Sequence, residues 1–123
     1  MKNNRILALS GNDIFSGGGL SADLATYTLN GLHGFVAVTC LTALTEKGFE
    51  VFPTDDTIFQ HELDSLHDVE FGGIKIGLLP TVSVAEKALD FIKQRPGVPV
   101  VLDPVLVCKE THDVAVSELC QEL

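Results

Sequence analysis

The stretch Ile6-Leu7-Ala8-Leu9-Ser10-Gly11-Asn12-Asp13-Ile14-Phe15-Ser16-Gly17-Gly18-Gly19-Leu20-Ser21-Ala22-Asp23-Leu24 passes from an apolar run, through a loop with four glycines, into a helical pattern. The apolar run is short and uninterrupted, as a strand covered on both faces requires. Leu20, Leu24 and Tyr27 then share one face at i, i+4, i+7, while Asp23, Thr26 and Asn30 share another, and Gly31 follows as a C-terminal stop. The same alternation continues outward. Phe35 to Leu41, Gly73 to Gly77 and Val98 to Leu102 read as further buried strands. Residues 55–68, with Ile58, Leu63 and Leu66, and residues 83–94, with Val84, Ala88, Phe91 and Ile92, read as helices, the second closed by Pro96-Gly97. Val114 to Leu123 starts a fourth helical pattern. Strand–helix repeats of this length predict an α/β fold with βαβ units and a mostly parallel central sheet. One insertion, Thr45 to Pro53, is polar and then alternates Phe49 and Val51 with Glu50 and Phe52, as a solvent-side strand or flap does.

Composition narrows the function classes. The chain has 123 residues, 17 acidic against 8 basic, for a net charge of −9, and 46% of it is hydrophobic. That supports a packed core and argues against a nucleic-acid partner, which needs clustered Lys and Arg. No apolar run approaches a bilayer-spanning length, and the opening apolar run is too short for a secretory signal, so a cytoplasmic protein without a membrane partner is expected. Cys40, Cys108 and Cys120 lack metal or redox spacing and read as free thiols of a reducing compartment. His33, His61, His67 and His112 are scattered and form no zinc motif.

Parallel sheets bind ligands beyond the carboxyl ends of their strands. Three such ends carry chemistry: the glycine-rich loop, Thr39 to Leu44, and Leu102-Asp103-Pro104. Glycines let backbone N–H groups approach a ligand, and the following helix N-terminus favours an anion. The loop is neither a dinucleotide fingerprint, since Asp13 stands where the second glycine would, nor a P-loop, since no Lys follows the glycines. A dinucleotide-dependent oxidoreductase is therefore disfavoured. A non-catalytic ligand-binding module stays open.

These motifs together resemble the vitamin kinases of the ribokinase-like superfamily, which phosphorylate hydroxymethylpyrimidine or pyridoxine and its relatives. Gly11-Asn12-Asp13 with Gly17 to Leu24 is similar to the family's opening G-[ST]-D-x-[ST]-G-G-A-G-[IL]-Q-A-D-L. Ile74 to Thr81 is similar to its K-x-G-[ML]-L stretch, and Val100 to Lys109 to its V-[VL]-D-P-V-M-V-x-K stretch. The resemblance implies a ribokinase-like three-layer fold, of which residues 1–123 form the N-terminal portion of a single kinase domain. It implies ATP and Mg²⁺ as cofactors, a small-molecule vitamin as partner and a homodimer in the full-length form. It places Asp13, Gly19, Asp23, Leu44 and the flap at Phe49 to Phe52 around the substrate ring. It places Asp103 near the metal and phosphates, with Lys109 within reach of a phosphate oxygen. The family's catalytic G-x-G-[DC] loop lies in its second half and does not occur here, so no catalytic residue is expected in this chain. Leu44 stands where hydroxymethylpyrimidine kinases carry a Gln that reads the pyrimidine edge. It matches the apolar residue of the pyridoxine-kinase branch, which makes a B6 vitamer the expected substrate. Asn12, Ile14, Phe15, Gly18 and Ser21 also depart from the commonest family pattern.

Overall fold

The computed structural model describes residues 3–103. Within them the order is β1 (Arg5–Asn12), α1 (Gly19–Leu29), β2 (His33–Thr45), β3 (Gly48–Pro53), α2 (Asp56–Ser65), β4 (Gly73–Ile76), α3 (Val82–Lys93) and β5 (Val100–Leu102). The expected fourth helix at Val114 to Leu123, and Lys109, Cys108, His112 and Cys120, lie outside the described residues. The five strands form one sheet in the order β3-β2-β1-β4-β5, parallel except for β3. The α/β class and the mostly parallel sheet thus match the sequence reading.

β1 sits at the centre because it is apolar on both faces, with Ile6, Leu7, Ala8, Leu9 and Ser10 all buried. On one face Leu7 and Leu9 join Ala37, Ile74 and Ile76 beneath α2 and α3, which contribute Phe59, Leu63, Val84, Ala88 and Phe91. On the other, Ile6, Ala8 and Val36 pack against Tyr27 of α1. Gly34 allows that approach, since a Cβ there would stand 2.6 Å from Leu24 and 2.9 Å from Tyr27. The result is the three-layer arrangement, with α1 on one face and α2 and α3 on the other.

The helix boundaries follow capping chemistry. Asp55 accepts from the Thr57 and Ile58 N–H groups at the start of α2, and Thr81 accepts from Val84 N–H at the start of α3. Asn30 and then Gly31, at φ +71°, close α1 as the sequence predicts. Two expectations change. The buried face of α2 is built on Phe59 and Leu63, while Ile58 is exposed. β2 does not end near Leu41 but runs on to Thr45 and turns into β3, forming a two-stranded ribbon. Hydrogen bonding explains the extension: cross-strand pairing with β3 satisfies the backbone that leaves the sheet.

β2 carries one extra residue against β1 between Val38 and Leu41. Its irregular backbone is satisfied from outside the ladder. Glu62 Oε1 accepts from Val38 N–H, the Thr54 hydroxyl donates to Val38 C=O, and Thr54 N–H donates to Thr39 C=O. Beyond this irregularity the ribbon lies against the glycine-rich loop, where the Thr42 hydroxyl bonds Ile14 N–H and Asn12 C=O.

Candidate functional site

The carboxyl ends of β1, β2 and β4 and the end of β5 converge on one rim of the sheet, where a parallel α/β fold places its ligands. The glycine-rich loop lies on this rim and has a defined shape. Asp13 Oδ1 accepts from Phe15 N–H at 3.0 Å, and Asp13 C=O accepts from Ser16 N–H at 2.8 Å. The Thr42 hydroxyl ties the loop to the ribbon, accepting from Ile14 N–H and donating to Asn12 C=O, both at 2.9 Å. Of the three consecutive glycines, only Gly19 is demanded by conformation. Its φ is +63°, and a Cβ would fall 2.3 Å from Gly11 C=O. A Cβ on Gly18 would meet nothing within 4 Å. The run of glycines is thus one obligatory position beside two spare ones. The first turn of α1 has neither a side-chain cap nor an acidic residue.

Asp23 is read from the sequence as lying on a polar helix face, and the structure corrects its surroundings. It is buried, and its Oδ1 accepts from the Lys75 ammonium. Lys75 Nζ also stands 3.6 Å from Asp103 Oδ2. Exposure falls along this line, from 48% for the Asp103 side chain to 27% for Lys75 and 7% for Asp23. Asp103 is held by its N–H, which donates to Ile76 C=O at 2.9 Å and extends the β4–β5 ladder. Burial pulls the Lys75 ammonium down, but the hydrogen bond and charge of Asp23, with Asp103 and Tyr27 adding, outweigh it. Its pKa therefore lies above the ordinary lysine value. The Tyr27 hydroxyl is buried beside this group and makes no hydrogen bond; burial first, then the Asp23 charge, raises its pKa.

The other expected site residues fall as follows. Asp13 and Gly19 shape the loop. Leu44 sits on the ribbon, 63% exposed, paired across from Phe49. Ribbon alternation puts Thr42, Val51, Leu44 and Phe49 on the same face. Phe49 stacks on Phe15 of the loop, with centroids 6.4 Å apart and planes 28° from parallel. The loop, this ribbon face and the Asp23–Lys75–Asp103 line thus share the rim. Asp103 is half exposed there, and among the described residues no cluster of three or more His, Cys, Asp or Glu could hold a metal by itself. Two functional candidates escape the sequence reading. Thr42 leaves no signal there, because a threonine in a strand is ordinary. Lys75 does leave one: a charge inside the apolar run Ile74-Lys75-Ile76 needs a buried partner.

Comparison with known proteins decides the family. A family profile described as phosphomethylpyrimidine kinase matches residues 13–123. The chain belongs to the phosphomethylpyrimidine kinase family. It is 33% identical over 127 residues to the pyridoxine kinase of Bacillus subtilis, covering 100% of this chain and 47% of that one. It is also 33% identical over 125 residues to the hydroxymethylpyrimidine/phosphomethylpyrimidine kinase of Haemophilus influenzae, covering 97% and 46%. The pyridoxal kinase of Staphylococcus aureus in complex with AMP-PCP superposes with a TM-score of 0.86 at 26% identity, over 98% of this chain and 45% of that one. A last common ancestor of HMPPK and PLK/HMPPK vitamin kinases superposes at 0.85 with 28% identity, over 99% and 56%. The ribokinase-like vitamin-kinase fold is thereby shown. The chain spans about half the length of the curated relatives it matches. No described helix is long and apolar enough to cross a membrane.

Proposed function

We propose that this chain is the N-terminal, substrate-binding portion of an ATP-dependent kinase that phosphorylates the hydroxymethyl group of a B6 vitamer. The observation that carries the choice of substrate is Leu44. It shares the loop-facing side of the ribbon with Phe49, and an alkyl side chain offers no hydrogen bond to an aminopyrimidine. An apolar wall suits a pyridine ring and leaves recognition of ring substituents to the loop backbone and Asp23. Relatives of both kinds, pyridoxine and hydroxymethylpyrimidine kinases, support the wider vitamin-kinase reading equally.

Phosphoryl transfer depends on positioning and on charge at the moving group. In this reading the residues divide the work. The Gly11–Gly19 loop and the ribbon face hold the ring and exclude water from it. Asp23 accepts a hydrogen bond from a ring substituent. Asp103, half exposed at the end of β5, fits a Mg²⁺ ion, which takes one or two protein carboxylates and completes its shell with phosphate oxygens and water. Mg²⁺·ATP would supply the phosphoryl group and neutralise its charge.

Steady-state kinetics on the full-length protein test this. We expect kcat/KM for pyridoxal or pyridoxine to exceed that for hydroxymethylpyrimidine. Because an apolar pocket discriminates by only about 10–200-fold, secondary activity on the pyrimidine is expected as well. An equal or reversed preference would overturn the B6 assignment. Turnover of neither substrate would leave it a ligand-binding module.

A further inference from the structure

The geometry points to Lys75 as a positioning residue that orients the Asp23 carboxylate for the substrate ring and ties it to Asp103 at the phosphate end of the same rim. This inference rests on the vitamin-kinase reading above and adds a residue to it.

Lys75 stands on the central sheet, in register with Ala8 of β1 and Val101 of β5, on the face covered by α1. Its neighbours on that face, Ile6, Ala8 and Tyr27, form a small apolar cluster. An aliphatic side chain there would extend the cluster without desolvating a charge. The pair is only partly buried, with Lys75 27% exposed, and exchanging ion pairs for apolar residues of similar volume is often neutral or stabilising, so it is a poor device for stability alone. What it does supply is direction. Lys75 engages Oδ1 of Asp23, and among the described residues no donor reaches Oδ2. A carboxylate held by one oxygen keeps a fixed plane and offers the other to a ligand. The same ammonium stands 3.6 Å from Asp103, so one cation sets the field at both carboxylates. The Tyr27 hydroxyl is the other polar group of the cluster and contributes no hydrogen bond, which leaves Lys75 to orient Asp23.

A double-mutant cycle on the full-length protein tests this, with pyridoxal as the probe. Affinity is read by calorimetry without nucleotide, KM for ATP is measured separately, and each variant's melting is checked. Lys75→Met is expected to weaken pyridoxal binding about tenfold or more, as loss of a charge-assisted hydrogen bond to a buried carboxylate implies, and to change KM for ATP by a smaller factor, since Lys75 hydrogen-bonds Asp23 but stands 3.6 Å from the half-exposed Asp103. Lys75→Arg should recover most of the affinity. In an Asp23→Asn background, Lys75→Met should cost less than about twofold, because there is no carboxylate left to orient. Equal losses in both backgrounds, or unchanged affinity in a natively melting Lys75→Met, would overturn the proposal. If Lys75→Met does not fold, the ¹³Cε resonance of Lys75 in the unmutated protein decides. It should shift on titration with pyridoxal along the calorimetric binding curve, and an unmoved resonance overturns the proposal. Failure of the unmutated protein to bind pyridoxal would instead strike the B6 reading, and Lys75's role in it would fall too.

Discussion

At the scale of single residues, the site depends on a few positions with no freedom. Gly19 is one. Its left-handed backbone and its contact with Gly11 C=O leave no room for a side chain, so the loop closes on α1 only with glycine there. Glu62 acts differently, at the irregular register of β2. One of its oxygens accepts from Val38 N–H and the other is buried without a hydrogen bond. Burial raises its pKa, with the Val38 N–H opposing. A carboxyl whose folded pKa lies above its unfolded one favours folding below the unfolded value, near 4.5, and loses that advantage as pH rises through the folded value. Glu62→Gln keeps an acceptor for Val38 and removes the charge. Chemical denaturation should find the variant at least as stable as the parent at neutral pH, with the gain fading as pH falls through the raised folded value and gone below about pH 4.5. A variant less stable at every pH would show that the ionised carboxylate is needed at this position. Much of the residue level is legible in the sequence: Asp103 after an apolar strand and the glycines before a helix mark the rim. Asp23 is legible as a position but not as a buried one, because helical periodicity counts faces and cannot see the lysine that enters from another strand.

At the scale of elements, the β2–β3 ribbon and the glycine-rich loop form one working unit. Thr42 joins them by two hydrogen bonds and Phe15 by a ring contact with Phe49. Both rings are largely exposed, so their contact acts on the loop's closure more than on global stability. Phe15→Ala and Phe49→Ala should each speed amide hydrogen exchange at Ile14 and Ser16 and leave the β1 amides Leu7 to Leu9 unchanged. The double variant should be little faster than either single one, since both remove the same contact. Additive acceleration would mean the rings act separately. The sequence reading finds the flap through its alternating Phe49, Glu50, Val51 and Phe52. It stops β2 short, because Thr42 to Thr45 lack the apolar signature of a covered strand. Pairing with β3, not burial, holds those residues extended. The face of α2 is only partly legible for a related reason: Leu63 and Leu66 meet the core as their period implies, but Ile58 and Phe59 are adjacent apolar residues, and only the packing against the sheet selects Phe59.

At the scale of the molecule, the strand order places β1, the first strand in the chain, between β2 and β4. One of its edges pairs with residues 33–41 and the other only with residues 73–76. Contact order therefore has a direction in time. During synthesis Ile6 waits for Gly73, 73 − 6 = 67 residues later, which is roughly 3–13 s at about 5–20 residues per second. Through that interval the most buried of the described strands has one open edge. A force-sensitive arrest peptide placed at successive lengths should report no pulling until β4 has cleared the ribosome, and then a single rise. An earlier rise would mean that β1, α1 and β2 fold as a unit of their own. Among the described strands, the one that anchors the glycine-rich loop is thus secured only once the fourth has emerged, and until then its open edge is the kind of surface a holding chaperone covers.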